Sequence, residues 1–534
     1  MMYLNNRITN IICLIIVLLI LSISMTITST PSSSSSSTFE FNYKFLKKKV
    51  RKQIVILESW VSSFIKNGNI KEHEEPHIAR SKKIRVFESE KYGLGYWARL
   101  PIAAGEKLFS IPYDACINYN ITLENNHMEK DDEIRTRVYN KIIENSDIGY
   151  DAALALYLVI ESRQAMDESK YFPYLHFLPH KMSSPLLWRI DQLEVLQASP
   201  TRLRIENFQK SLIEIYKFII TNPTIQTKVP SIIHGKQRLT LKEFKWAVAT
   251  IWTRSFFLDM NGYLRIRDQN NMIKIYDIED HYYPDGRKKP NVKNTKPKLV
   301  GIENVDKQTT TKRDERISTQ ISQTARIIIP MLDLLNHNRS VSHTYRFNPK
   351  NRMVEFVAAN DIQEGDEITL NYGLFSNHDL FLNYGFIDPE NKLNHFRIPI
   401  KVRLMSSLNV FQQRLLNWRV PNPKIILSHD GKPIDNTLIV LRILTFDDLG
   451  GSAYELNQLL DNVPTTSQLL KVKMYKVLHD LCNTTLSTYG TVVELDEIEL
   501  TRNHPTWYKL ALKIRIEEKL ILEKCMNYTK SQVF

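Results

Sequence analysis

The stretch from Ile327 to Pro389 constrains the fold of this chain most. It reads IIIPMLDLLNHN, then an extended segment, then EGDEITLNYGLFSNHDLFLNYGFIDP. Two apolar runs end in polar clusters. Asp333, Asn336 and His337 close the first, and Asn371, Tyr372 and Gly373 close the second. A third cluster, Asn383-Tyr384-Gly385-Phe386, follows a short amphipathic segment. Short apolar runs that stop at turn signals read as buried strands or short helices. Polar side chains at their ends are held rigidly, as a site requires.

Taken singly, an Asn-His pair is usually a capped turn and a Tyr-Gly pair a strand end. In this order and spacing the clusters resemble the SET domain of protein methyltransferases. Within it they resemble the Rubisco large-subunit lysine methyltransferase class, whose members carry DxxNH, a Tyr-Gly strand end and an NYGF element. The resemblance implies an α+β chain: a β-rich SET domain with knot-like threading of the Asn-His and Tyr segments, and a helical insert within it. Such threading is an exception to the rule that chains avoid it. An all-α C-terminal substrate-binding domain is implied to follow. S-adenosylmethionine is the implied cofactor, with Asn336 and His337 among its ligands and Tyr372 as the catalytic tyrosine; no metal is implied.

Ile84–Pro112 alternates around Gly93-Leu94-Gly95 and reads as a hairpin. It lacks GxGxxG and a following helix, so it is no dinucleotide fingerprint. In the family pattern Gly93, Leu94 and Gly95 form the first SET motif, where backbone approaches the cofactor and a missing Cβ helps. Leu241–Leu258 reads as one helix delivering Thr253-Arg254-Ser255-Phe256. The resemblance assigns Arg254 to cofactor binding; dipole stabilisation at a helix C-terminus is the other reading. Phe256, Tyr384 and Phe386 are implied walls of a lysine channel, with core packing as the alternative for each. The histidine-directed relative carries Asn and Trp where Phe256 and Leu332 align, so these apolar residues lean towards lysine. A protein-histidine methyltransferase and a non-catalytic peptide binder on the same scaffold stay open.

At 534 residues the chain has room for two or three domains. Its four cysteines, Cys13, Cys116, Cys482 and Cys525, form no CxxC pair, so neither a zinc cluster nor a disulfide framework is read. The net charge is +13, but residues 1–52 hold seven Lys or Arg against one acid, Glu40. No basic stripe is interleaved with aromatics, which argues against nucleic acid as partner. The expected partner is a protein substrate, met by a monomeric chain.

In order, residues 1–30 read as a signal peptide or membrane anchor, with Arg7 before the uncharged run Ile11–Leu21. Extended to residues 11–27, the run suggests membrane association. Residues 31–80 form a Ser-rich, basic linker and a leading helix; together with the signal they resemble a two-part plastid address. The SET domain is expected over 81–394, with its helical insert at 116–240 and a polar loop insertion at 261–326. Residues 395–534 read as the helical substrate-binding domain.

Overall fold

A computed structural model of the chain describes residues 50–64, 79–89, 93–118, 149–163, 169–228, 238–259, 264–267, 272–277, 298–304, 324–341, 344–349, 351–373, 375–399, 408, 410–420, 423–434, 436–445 and 468–533. The signal-like segment and the Ser-rich stretch lie outside them. Among the described residues no helix is long and apolar enough to cross a membrane. The chain forms two compact units, one from the described parts of Met1–His180 and Glu214–Leu374, the other from Lys181–Ile213 and Phe375–Phe534.

In the first unit the leading helix α1 covers residues 50–64 and buries Ile54, Leu57 and Val61. That spacing of three to four residues is the apolar stripe of a surface helix. The hairpin forms as expected: β1 (Ile84–Ser89) pairs antiparallel with β2 (Gly93–Ala98). Strand β3 (Lys107–Pro112) follows. Helix α2 (Gly149–Arg163) carries Ala152–Leu156 and Leu158 at 0% exposure, so it is enclosed on all sides. Helix α3 (Pro200–Thr221) crosses from one unit to the other in sequence.

The helix expected over Leu241–Leu258 is shorter. Helix α4 (Leu241–Arg254) starts with a Thr240–Glu243 capping box and stops at Arg254. Ser255 is already extended; its backbone N–H and its hydroxyl both donate to the Ile251 carbonyl, the hydroxyl at 2.5 Å, which closes the last turn. Ser255–Asp259 then forms β4, paired antiparallel with β8 (Thr324–Ile328). Aromatic Phe256 and Phe257 suit a pleated strand, and tertiary pairing overrides the helical spacing.

The insertion at 261–326 corrects another expectation: it is not loop throughout. Strands β5 (Leu264–Arg267), β6 (Met272–Asp277) and β7 (Lys298–Asn304) form an antiparallel sheet. Their apolar residues recur two apart, as in Leu264-Ile266 and Ile273-Ile275, below the notice of a composition-based reading. Asp259 and Thr324 are direct partners at the end of the β4–β8 ladder. Replacing residues 260–323 with Asn-Gly should therefore close β4 and β8 as a two-residue hairpin. The expected outcome is soluble protein with an unchanged circular dichroism melting profile outside the sheet's own signal. Loss of soluble protein would show that the insertion supports the unit.

Strands β9 (Asn336–His337), β10 (Thr344–Asn348), β11 (Met353–Val357) and β12 (Glu367–Leu370) complete the unit. The sheet orders are β1-β2-β12-β9 and β10-β11-β3. The pairing of β9 with β12 is parallel, Thr369 opposite Asn336 and Leu370 opposite His337. Parallel neighbours cannot be joined by a tight turn, so two segments far apart in sequence are brought side by side.

The second unit is mainly helical but not all-α. It holds α5 (Asn377–Tyr384), α6 (Val410–Arg419), α7 (Thr437–Thr445), α8 (Gln468–Leu486), α9 (Val493–Thr501) and α10 (Thr506–Val533). It also holds an antiparallel sheet of β13 (His395–Pro399), β14 (Lys424–Ser428) and β15 (Pro433–Ile434). Phe396, Ile398, Ile425 and Leu427 alternate and are buried in the helical core, which is why these segments are strands. Phe375–Asn394, expected with the SET domain, belongs here. The amides of Asn377 and Asn394 both donate to the Glu517 carboxylate, at 2.8–2.9 Å, tying the segment to α10.

Candidate active site

Site geometry begins with the buried run Ile327–Leu335. Ile327, Ile328, Ile329 and Met331 are at 0% exposure. Met331 sits at φ 71°, a region that a residue with a Cβ rarely enters. Such a conformation persists only when the surroundings impose it, and it clusters at functional sites. It turns the chain into a short 3₁₀ turn, Leu332–Leu334, that presents Asp333 inward and leads into β9.

Asp333 is the anchor of that turn. Its side chain is at 0% exposure, and one oxygen, Oδ2, takes two donors: Arg254 Nη1 at 2.6 Å and the Tyr174 hydroxyl at 2.7 Å. Burial alone lowers the Arg254 pKa, but the Asp333 carboxylate outweighs it and holds the guanidinium above its ordinary value. Burial, then Asp333, pushes the Tyr174 phenol well up. Arg254 therefore stays charged and Tyr174 neutral at neutral pH. Arg254, expected at the cofactor, pairs with Asp333, and this ion pair fixes the turn three residues ahead of Asn336.

Asn336 and His337 are placed by the β9–β12 pairing. Asn336 Nδ2 donates to the Leu94 carbonyl at 3.1 Å and to Glu367 Oε1 at 2.7 Å. Among the described residues its Oδ1 takes no bond. The glycines explain how the side chain fits. A Cβ on Gly95 would stand 2.7 Å from Asn336 Nδ2 and 2.8 Å from Glu367 Oε1, so only glycine admits this approach. Gly93 has φ 71°, the left-handed region glycine enters freely. Glu367 was not singled out in the sequence. Burial raises its carboxyl pKa, partly offset by the Asn336 bond.

Tyr372 follows β12 directly. Its backbone N–H donates to His337 Nδ1 at 3.1 Å, so a neutral His337 carries its proton on Nε2. Its hydroxyl donates to the Leu335 carbonyl at 2.7 Å, and the two rings lie 5.1 Å apart. Asn371 Oδ1 accepts from the Gly373 N–H at 2.9 Å, and its Nδ2 donates to the Arg339 carbonyl at 3.1 Å, fixing the chain on either side.

Thus Gly93, Leu94, Gly95, Asn336, His337 and Tyr372 come together, and Arg254 supports them through Asp333. Phe256 lies on β4 opposite Ile327, its ring edge-on to Tyr345 at 5.0 Å. Tyr384 and Phe386 belong to the second unit, where their rings lie 6.1 Å apart. Tyr174 and Glu367 carry no local motif that would have found them; Asp333 was quoted within DxxNH, but its partners are far away in sequence.

A glycine hairpin against a half-buried amide with an open acceptor, beside a tyrosine fixed at a strand end, defines a SET-type site. The chain matches the SET domain family over residues 93–373 and belongs to it; residues 398–522 match the Rubisco LSMT substrate-binding family. It is 25% identical to the Actin-histidine N-methyltransferase of Mus musculus over 393 residues, 70% of this chain and 55% of that protein. Against the Homo sapiens protein the identity is 25% over 394 residues, with the same shares. The chain thus spans about half the length of the curated relatives it matches. Among solved structures, Rubisco LSMT bound to AdoMet superposes with TM-score 0.60 at 16% identity, covering 90% of this chain and 92% of that one. The SET domain of LSMT bound to Lysine and AdoHcy gives TM-score 0.58 at 17% identity, covering 84% and 87%.

Proposed function

We propose that the chain is an S-adenosylmethionine-dependent protein-lysine N-methyltransferase. The observation that carries this reading is the arrangement of Tyr372 on His337 and Leu335 beside the Asn336–Gly95 wall. The residues fit the cofactor: the hairpin is exposed and open at Gly93, and Asn336 Oδ1 is an acceptor without a partner among the described residues. Asn336, His337 and the Gly93–Gly95 segment would hold it. When bound, it supplies a methyl group on a positively charged sulfonium.

The rest falls to the chain. An amine must reach the site unprotonated; a lysine with solution pKa near 10.4 costs about 4.6 kcal/mol to deprotonate at pH 7. Apolar walls desolvate the ammonium and lower its pKa by roughly 3–5 units. Phe256 and buried Leu332 are such walls, and aromatic faces add roughly 0.5–2 kcal/mol for a cation. The Tyr372 oxygen, held by Leu335, offers a fixed lone pair to the positively charged group in transit.

Histidine methylation is the second reading. What favours it is the 25% identity to actin-histidine methyltransferases over 70% of the chain. What favours lysine is Phe256 and Leu332, which give an imidazole no polar partner. Incubating purified protein with cofactor and native-cell extract, then mapping methylated residues by mass spectrometry, separates the two. Methyl-histidine without methyl-lysine would overturn the lysine reading. In the same preparation, Asn336→Ala and His337→Ala should weaken cofactor binding in calorimetry by at least about tenfold, the loss of one good hydrogen bond. Unchanged affinity in both variants would contradict their assignment.

We further propose that residues 1–30 direct the chain to a membrane-bounded compartment. Arg7 ahead of the uncharged run Ile11–Leu21 supports this. Fusing residues 1–60 to a fluorescent protein in the native cell tests it, and diffuse cytosolic signal would refute it.

A further inference from the structure

Cys482 and Cys525 stand 43 residues apart in sequence, on α8 and α10, yet their sulfurs lie 2.8 Å apart. Both side chains are fully buried in the core of the second unit. The separation is about 0.8 Å longer than the roughly 2.05 Å of a disulfide, so the bond needs only a small rotation of two side chains. Cys116, the other described cysteine, is in the first unit. Among the described residues the side-chain hydrogen bond of the pair is the one between its own sulfurs.

We infer that Cys482 and Cys525 are a disulfide site that cross-links α8 to α10 when the chain folds in an oxidising compartment. The oxidant is a small-molecule disulfide such as oxidised glutathione. One cysteine thiolate attacks it, releasing one glutathione thiol and leaving a mixed disulfide. The second cysteine then displaces the other glutathione. One sulfur–sulfur bond forms and one breaks, and the two cysteine hydrogens leave with the two glutathione thiols. The hydrogen bond that Cys482 donates to Cys525, and then burial, push the Cys482 thiol far above its ordinary pKa in the folded core, where little thiolate forms. The finished bond is shielded from reductants, because both cysteines are buried in the core.

The test uses the full-length chain refolded with oxidised glutathione. It is unfolded in denaturant with N-ethylmaleimide and no reductant, digested and mapped by mass spectrometry. The expected result is a Cys482 peptide joined to a Cys525 peptide, two hydrogens lighter than the sum of the thiol peptides. Finding both cysteines alkylated, or either joined elsewhere, would overturn the inference. The loop closed is long, so reduction should lower the melting midpoint of the wild type by about 10 °C. In Cys482→Ser that shift on reduction should vanish, and a shift of equal size there would count against the pair. If the variant fails to fold, the peptide map of the wild type decides alone.

Discussion

Tyr372→Phe should reduce methyl transfer by about 10²–10³-fold while leaving the fold and cofactor affinity in place. That is the scale seen when one preorganised polar group is removed from a reacting centre. The substitution deletes one oxygen and nothing else. The ring keeps its place against His337, and the backbone N–H still donates to His337 Nδ1. The Leu335 carbonyl loses its donor, but Tyr372 is only half-buried, so water replaces it at small cost. Single-turnover kinetics on a substrate identified by methyl mapping, with calorimetry of the cofactor alongside, separates the two effects. Turnover at the wild-type rate would remove Tyr372 from the chemistry. A parallel collapse of cofactor affinity would mean that the hydroxyl organises the wall and does not act on the reaction.

Asp333→Ala should be the most damaging single change to the stability of the first unit, costing about 3–5 kcal/mol. The mutation strands an Arg254 side chain only 18% exposed and removes the acceptor of the Tyr174 hydroxyl. A buried unpaired charge is the expensive part, more than the lost attraction. The loss should spread to the site, because the Leu332–Leu334 turn sets the entry of Asn336 into β9. Removing both charges, as Arg254→Met with Asp333→Leu, should recover a good part of the loss, since an apolar pair carries no desolvation penalty. Denaturant unfolding of the single and double variants measures this. A single-mutant cost below about 1 kcal/mol would show that water relieves Arg254 and that the pair is not the anchor.

Much of this protein was legible in its sequence. The apolar periodicities of Asp151–Arg163, Leu203–Ile220 and Trp507–Cys525 fall within helices of the described structure, because burial of one stripe or of a whole helix leaves its period in the chain. The Asn336-His337 and Tyr372 clusters were visible because each ends a buried run, and local order is enough to place such residues at strand ends. The tertiary structure decided what depends on partners distant in sequence. Leu241–Leu258 has a helical pattern throughout, yet β8 recruits its last turn into a strand, because ladder bonds outweigh a weak intrinsic preference. Arg254 reads as a cofactor ligand or a helix-end charge, and only the tertiary structure shows Asp333, 79 residues on, holding it. Gly95 is expected to let backbone approach the cofactor; only the tertiary structure shows that Asn336, 241 positions later, occupies the space of its Cβ. Cys482 and Cys525 fit no sequence motif, and only the packing of α8 on α10 brings their sulfurs together. A sequence records the environment each residue prefers, whereas pairings across tens or hundreds of residues are chosen by the sum of all contacts at once, and no local window contains that sum.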